Sequence, residues 1–122
     1  MLVGRTTHTE TYEISVKKGS YSSNHIHKDK ANLFWVQKGR LFIILYGKSP
    51  SLIEIPALSA FWVNPGVEHR FFAPEDTTAL EVYMTPPSKK IKWNDIERLD
   101  EGGVLCPPED YSTLLMNRAM NV

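Results

Sequence analysis

The sequence predicts an all-β domain, a sandwich or barrel of short strands. Eight β-prone runs follow one another between residues 11 and 84: TYEISVK, SNHIHK, NLFWVQ, RLFIILY, SLIEIP, SAFWV, VEHRFFA and TALEVYM. Turn-forming residues punctuate them, with Gly19, Gly39, Gly47, Pro50, Pro56, Pro65, Gly66 and Pro74 at or beside the gaps, where they cost no ladder hydrogen bonds. No strongly helical segment competes with the strands before about residue 85.

Taken in order, the runs differ in what they offer. SNHIHK carries two histidines one residue apart, and NLFWVQ places Asn32, Phe34 and Val36 on one face by strand alternation. RLFIILY is apolar on both faces, so it reads as a strand covered from two sides. VEHRFFA begins directly after the turn Asn64-Pro65-Gly66 and sets His69 and Phe71 on the face opposite Glu68 and Arg70. In TALEVYM, Glu81 and Tyr83 share one face while Leu80, Val82 and Met84 share the other, and either face can look inward. After Met84 the texture changes to TPPSKK, NDIERLDEGG and PPEDYSTLLMNRAM. Pro107 and Pro108 ahead of Glu109 and Asp110, with Arg118 near the far end, predict a short carboxy-terminal helix. Its Tyr111, Leu114, Leu115 and Met116 would cover the barrel or a second subunit.

At 122 residues and 42% hydrophobic, the chain has room for one core, so a single domain over 1–122 is expected, with a barrel at about 10–85 and an extension at about 86–122. Fourteen basic residues balance fourteen acidic ones and no block of one sign stands out, which argues against a nucleic-acid or membrane-surface partner and for a small molecule. The amino-terminal segment is too polar for a signal peptide, and no segment approaches the roughly 18 apolar residues of a membrane span. Cys106 is the lone cysteine and cannot form an internal disulfide. A cytoplasmic protein is expected.

The chemistry concentrates in the histidines. In an extended strand His25 and His27 lean toward one volume while Ile26 faces away, a chelating geometry once a third ligand joins. His69 is the candidate for that third position. The spacing around these residues resembles the cupin superfamily. Gly19, His25, His27 and Gly39 stand at the positions of its first motif, with Asn32 where that motif has a glutamate. The Pro65-Gly66 turn followed by His69 is similar to the second motif, whose outer glycine and asparagine positions hold Leu58 and Ala73. The stretches Trp35–Gly39, Asn64–Arg70 and Asp95–Asp100 further resemble the carboxy-terminal domain of phosphomannose isomerase, although Glu-Gly-Gly follows Asp100 in place of that family's Tyr-Gly-Arg.

The resemblance implies a double-stranded β-helix, or jelly-roll barrel, in which His25, His27 and His69 converge on a divalent ion. Imidazole donors suit zinc, iron, manganese, nickel or copper better than calcium or magnesium. Asn32 either completes the ligand set with a neutral carbonyl oxygen or merely opens its strand. The site is then a three-histidine centre with open positions, or a decayed one. Glu81 and Tyr83, if they face inward, supply a base and a proton donor. The expected function is that of a metal-dependent enzyme, isomerase-like or dioxygenase-like, acting on a small molecule such as a sugar or sugar phosphate; the alternative is a non-catalytic binding or structural module. Cupins commonly pair through their sheets, and with RLFIILY apolar on both faces a homodimer is expected.

Overall fold

The structure is a computed structural model, and it describes residues 1–103. Its strands are β1 (Leu2–Arg5), β2 (Thr9–Val16), β3 (His25–Ile26), β4 (Ala31–Lys38), β5 (Arg40–Tyr46), β6 (Ser51–Pro56), β7 (Ala60–Val63), β8 (Glu68–Phe72), β9 (Thr77–Met84) and β10 (Glu97–Arg98). Each of the eight expected runs contains a strand, from β2 to β9, while β1 and β10 join the sheets from outside residues 10–85. The second run shortens to the two residues of β3 because the chain leaves the sheet after Ile26. There the backbone N–H groups of Lys28, Asp29 and Lys30 donate to the Asp95 carboxylate instead of to a neighbouring strand.

Two five-stranded antiparallel sheets face each other, one in the order β1-β2-β9-β4-β7 and the other β10-β3-β8-β5-β6. Gly39 alone separates β4 in the first sheet from β5 in the second. Its φ of +84° lies in the left-handed region, and a Cβ there would stand 2.4 Å from the carbonyl oxygen of Asp76, so only glycine fits the crossing. Between the sheets lies a core of Phe34, Val36, Leu41, Ile43, Ile55 and Ala79 with smaller neighbours. Burying each of the larger aliphatic chains contributes roughly 1.5–3 kcal/mol. The jelly-roll architecture expected from the sequence is the one observed.

A second apolar cluster, Phe42, Ile44, Leu52 and Phe72 with Tyr21 and Tyr46, lies on the outer face of the second sheet. Alternation along β5 explains it, since Leu41 and Ile43 point to the core while Phe42 and Ile44 point out. Phe42 and Ile44 are nevertheless only 3% and 0% exposed within the single chain. The carboxy-terminal helix expected from Glu109 lies outside the described residues. Among those residues no helix is long and apolar enough to cross a membrane.

Candidate metal centre and its cavity

The two histidine motifs meet because the strands that carry them pair. In the register of β3 with β8, His25 stands directly opposite His69, and His27 follows two residues on. The turn before β8 ties the motifs together a second time. Gly66 sits at φ +82° in the third position of a turn closed by Val67 N–H to Asn64, and its own N–H donates to the His27 carbonyl at 2.7 Å. The ring centroids of His25–His27, His25–His69 and His27–His69 are 4.9, 4.5 and 5.4 Å apart.

Each ring has a fixed orientation. Nδ1 of His25, His27 and His69 lies 2.7, 2.7 and 2.8 Å from the carbonyl oxygens of Ser23, Asp95 and Val67. A carbonyl only accepts, so each Nδ1 carries the proton and each Nε2 keeps its lone pair. Nε2 of His27 and of His69 is buried without a partner among the described residues. One ligand nitrogen from each ring lies within 4.8 Å of the others. Imidazole nitrogens bond a divalent transition ion at ~2.0–2.1 Å. Burial, reinforced by the neighbouring rings, lowers the His25 pKa to about 3. Burial lowers that of His27 to about 4, against the carbonyl of Asp95, and it lowers His69 as well. All three are neutral at pH 7, the form that ligates metal. The three histidines could therefore hold one metal ion.

Register brings the other expected residues to the same interior. Asn32 on β4 pairs with Tyr83 on β9, and Phe34 pairs with Glu81, so all four share the inward face. The ambiguity of TALEVYM is settled in favour of Glu81 and Tyr83 lining the cavity. Tyr83 donates to the Glu81 carboxylate, and its ring lies 5.1 Å from that of His27. Burial pushes the Glu81 carboxyl above its usual range, opposed by Tyr83, Asn32 and the Lys30 charge, and burial beside Glu81 raises Tyr83 well above 10. Asn32 is fully buried, close enough to Glu81 to favour its charged form, yet neither amide atom reaches hydrogen-bonding geometry with a described residue. Arg70, which alternation sets on the face opposite His69, points away from the three histidines. It lies over the Tyr21 ring and pairs with Asp100.

Sequence reading missed one side of the site. Residues 92–100 run across the barrel mouth, where Asp95 accepts three backbone N–H groups and the His27 ring, and Asp100 accepts the Asn24 N–H. Those backbone bonds outweigh burial and hold the Asp95 carboxyl below its usual range. This strap, with Trp93, Ile96 and Arg98, helps close a cavity of about 220 Å³ that His27, Glu81 and Tyr83 also line. Lys30 is 3% exposed and lines the same cavity. Its parity with Asn32 and Phe34 was the available signal; the strap had none beyond the Asp95–Asp100 string.

Fold and site together define a cupin-type barrel with a three-histidine candidate metal centre. Comparison with solved structures agrees on the fold. Oxalate decarboxylase from Bacillus subtilis superposes with a TM-score of 0.66 at 15% identity over 77% of this chain, which spans about a quarter (25%) of that protein's length. KdgF from Halomonas sp. superposes at 0.63 with 17% identity, over 72% of this chain and 80% of that one. A conserved Streptococcus pyogenes protein of unknown function, SPY1581, gives 0.60 at 14% identity over 70% and 71%. No protein-family model and no curated protein matches the sequence.

Proposed function

We propose that this protein is a metal-dependent enzyme of the cupin superfamily that transfers a proton on a small hydroxylated carbonyl compound, in the manner of a sugar isomerase. The observation that carries the reading is the Glu81 carboxyl, buried and bonded by Tyr83 on the wall of the cavity that His27 also lines. His25, His27 and His69 would hold a divalent transition ion, with Asn32 as the neutral fourth ligand. When bound, that ion supplies Lewis acidity toward a substrate oxygen. The Glu81 carboxylate takes a proton from the carbon beside the substrate carbonyl as the C–H electron pair shifts toward the carbonyl oxygen, and it delivers the proton to the neighbouring carbon. Burial makes it a stronger base than an exposed carboxylate and brings it nearer the pKa that suits proton transfer at neutral pH. Tyr83, neutral at that pH, holds the Glu81 oxygen in place by donating its hydroxyl hydrogen to it. Phe34 and the strap exclude bulk water. The likeness to an oxalate decarboxylase supports small-molecule chemistry in this fold. A homodimer through the exposed edge strand β1 belongs to the same proposal, and light scattering measures it.

The test uses protein purified without a histidine tag and loaded with one transition metal, incubated in deuterated water with a panel of aldoses, ketoses and their phosphates. Deuterium is expected at the carbon next to the carbonyl of at least one of them. Stripping the metal should abolish the exchange, and Glu81→Gln should slow it about 100-fold or more with metal content unchanged. Substrate-dependent oxygen uptake in place of exchange would point to the dioxygenase reading. Ligand-dependent thermal stabilisation with neither activity would point to a binding module.

A further inference from the structure

The geometry points to an anion-binding subsite formed by Lys30 and Arg98, and we infer that the ligand of this cavity carries a carboxylate or a phosphate. The inference rests on the cavity being the ligand site, as proposed above, but not on the reaction performed there. Lys30 is a buried cation with one ion-pair partner, Glu10, which it shares with Arg5. Glu10 Oε2 accepts both Nε and Nη2 of Arg5, at 3.0 and 2.7 Å, and the Tyr12 hydroxyl at 3.1 Å. Glu10 Oε1 stands 3.6 Å from Lys30 Nζ, too far for a hydrogen bond, and has no other partner among the described residues. The Asp95 carboxylate is occupied by three backbone N–H groups, and Glu81 by Tyr83.

The Lys30 ammonium is left with one hydrogen bond, to the Lys92 carbonyl at 3.1 Å, and a place 4.3 Å over the Tyr83 ring. An ammonium has three donors and Lys30 uses one of them in a hydrogen bond, so an anion arriving in the cavity would meet donors still unsatisfied in a poorly solvated place. Arg98 supplies the second charge from the other sheet. The register of β10 with β3 sets it directly opposite His25, and it reaches the same cavity while forming no ion pair among the described residues. A cavity of about 220 Å³ lies below the ~300–1,000 Å³ of drug-sized sites, which suits a compact anion.

Calorimetry on the metal-free protein at low salt tests this with malonate, inorganic phosphate and the neutral polyol erythritol as probes. Removing the metal keeps it from supplying the anion's partner. The folded parent should bind malonate or phosphate, and erythritol much more weakly. Lys30→Met and Arg98→Gln should each weaken the anion by about tenfold or more, and Lys30→Arg should retain it. Tighter malonate assigns a carboxylate and tighter phosphate a phosphate ester; either supports the subsite. Should Lys30→Met fail to fold, Arg98→Gln carries the test from the cavity rim. Parent-like anion affinity in the folded variants, or no preference of the parent for anions over erythritol, overturns the inference. Absent deuterium exchange in the metal-loaded protein overturns the proposed reaction and leaves this result standing.

Discussion

Strands β4 and β9 each serve both ends of the barrel interior, and the two ends are made of opposite material. Toward one end they contribute Val36 and Ala79, packed with Leu41, Ile43 and Ile55. Toward the other, the same faces contribute Asn32, Glu81 and Tyr83, which meet the three histidines, Glu10 and Lys30. The apolar end gains free energy from burial and dispersion. The polar end buries a lysine, two glutamates and three imidazoles, with atoms on Glu10, Asn32, His27 and His69 that have no hydrogen-bond partner among the described residues. Such groups cost stability unless something pairs with them. The difference teaches that one half of the barrel holds the fold together while the other spends part of that stability to keep donors ready for a ligand.

The largest expected effect that sharpens this contrast is a pH dependence. His25 and His27 have folded pKa values of about 3 and 4, below their ordinary 6.5. The unfolded chain therefore binds more protons than the native one in the window between. Their contribution is fully present above pH 6.5 and is lost as pH falls from there through the folded values of about 4 and 3. Each histidine removes up to about 1.4 kcal/mol per pH unit. Glu81, with its pKa raised above 4.5, acts in the opposite sense, its contribution declining as pH rises past that value. Urea unfolding of the metal-free protein at pH 7.5, 6.0 and 5.0 should show a steep loss across this range. A flat profile would mean that the histidines are solvated and the polar end is not the buried cluster described.

Next come paired substitutions, one at each end. Ile43→Ala in the apolar end should cost about 2–5 kcal/mol and leave metal affinity within a few-fold of the parent. Asn32→Leu in the polar end removes two buried amide atoms that have no hydrogen-bond partner among the described residues, so the metal-free protein should become more stable by about 1 kcal/mol while metal binding weakens. Denaturant midpoints and metal titrations on both variants read the two effects. Destabilisation by Asn32→Leu would break the comparison, because it would show the amide to be satisfied in the folded chain.

The smallest expected effect lies outside both ends. Leu58 holds φ +65° in the turn before β7, where its N–H donates to the Val36 carbonyl. A leucine in this region is strained by about 1–2 kcal/mol, whereas glycine adopts it freely but loses more entropy on folding. Leu58→Gly should raise stability by no more than about 1 kcal/mol, seen as a small rise in Tm without change in metal content. A fall in Tm would mean that the 75%-exposed side chain makes contacts that outweigh the strain.

Several features were legible in the residues themselves. Period-two alternation between Gly and Pro breakers marks β2 to β9, because it reflects the geometry of a single extended chain. The pairing of His25 with His27 follows from the same local geometry. Leu58, at the position where the cupin motif carries glycine, keeps the backbone conformation that glycine would supply, which no residue type there announced. Which face of β9 looks inward was open, since apolar Leu80 and Val82 argue for one face and the polar pair for the other. Cross-strand register decided it by setting Glu81 opposite Phe34 and Tyr83 opposite Asn32.

By itself, then, the sequence determined the strands, their turns and the three imidazoles, because each depends on neighbours a few residues away. Only the tertiary structure decided the rest of the site. Asp95 reaches His27 across 68 residues, and β10 brings Arg98 to His25 across a similar span. Lys30 becomes a buried cation only because Glu10, Tyr83 and Lys92 arrive around it from three other segments. Charge placement inside a barrel is a property of which strands pair and in what register, and no period in a single chain encodes that.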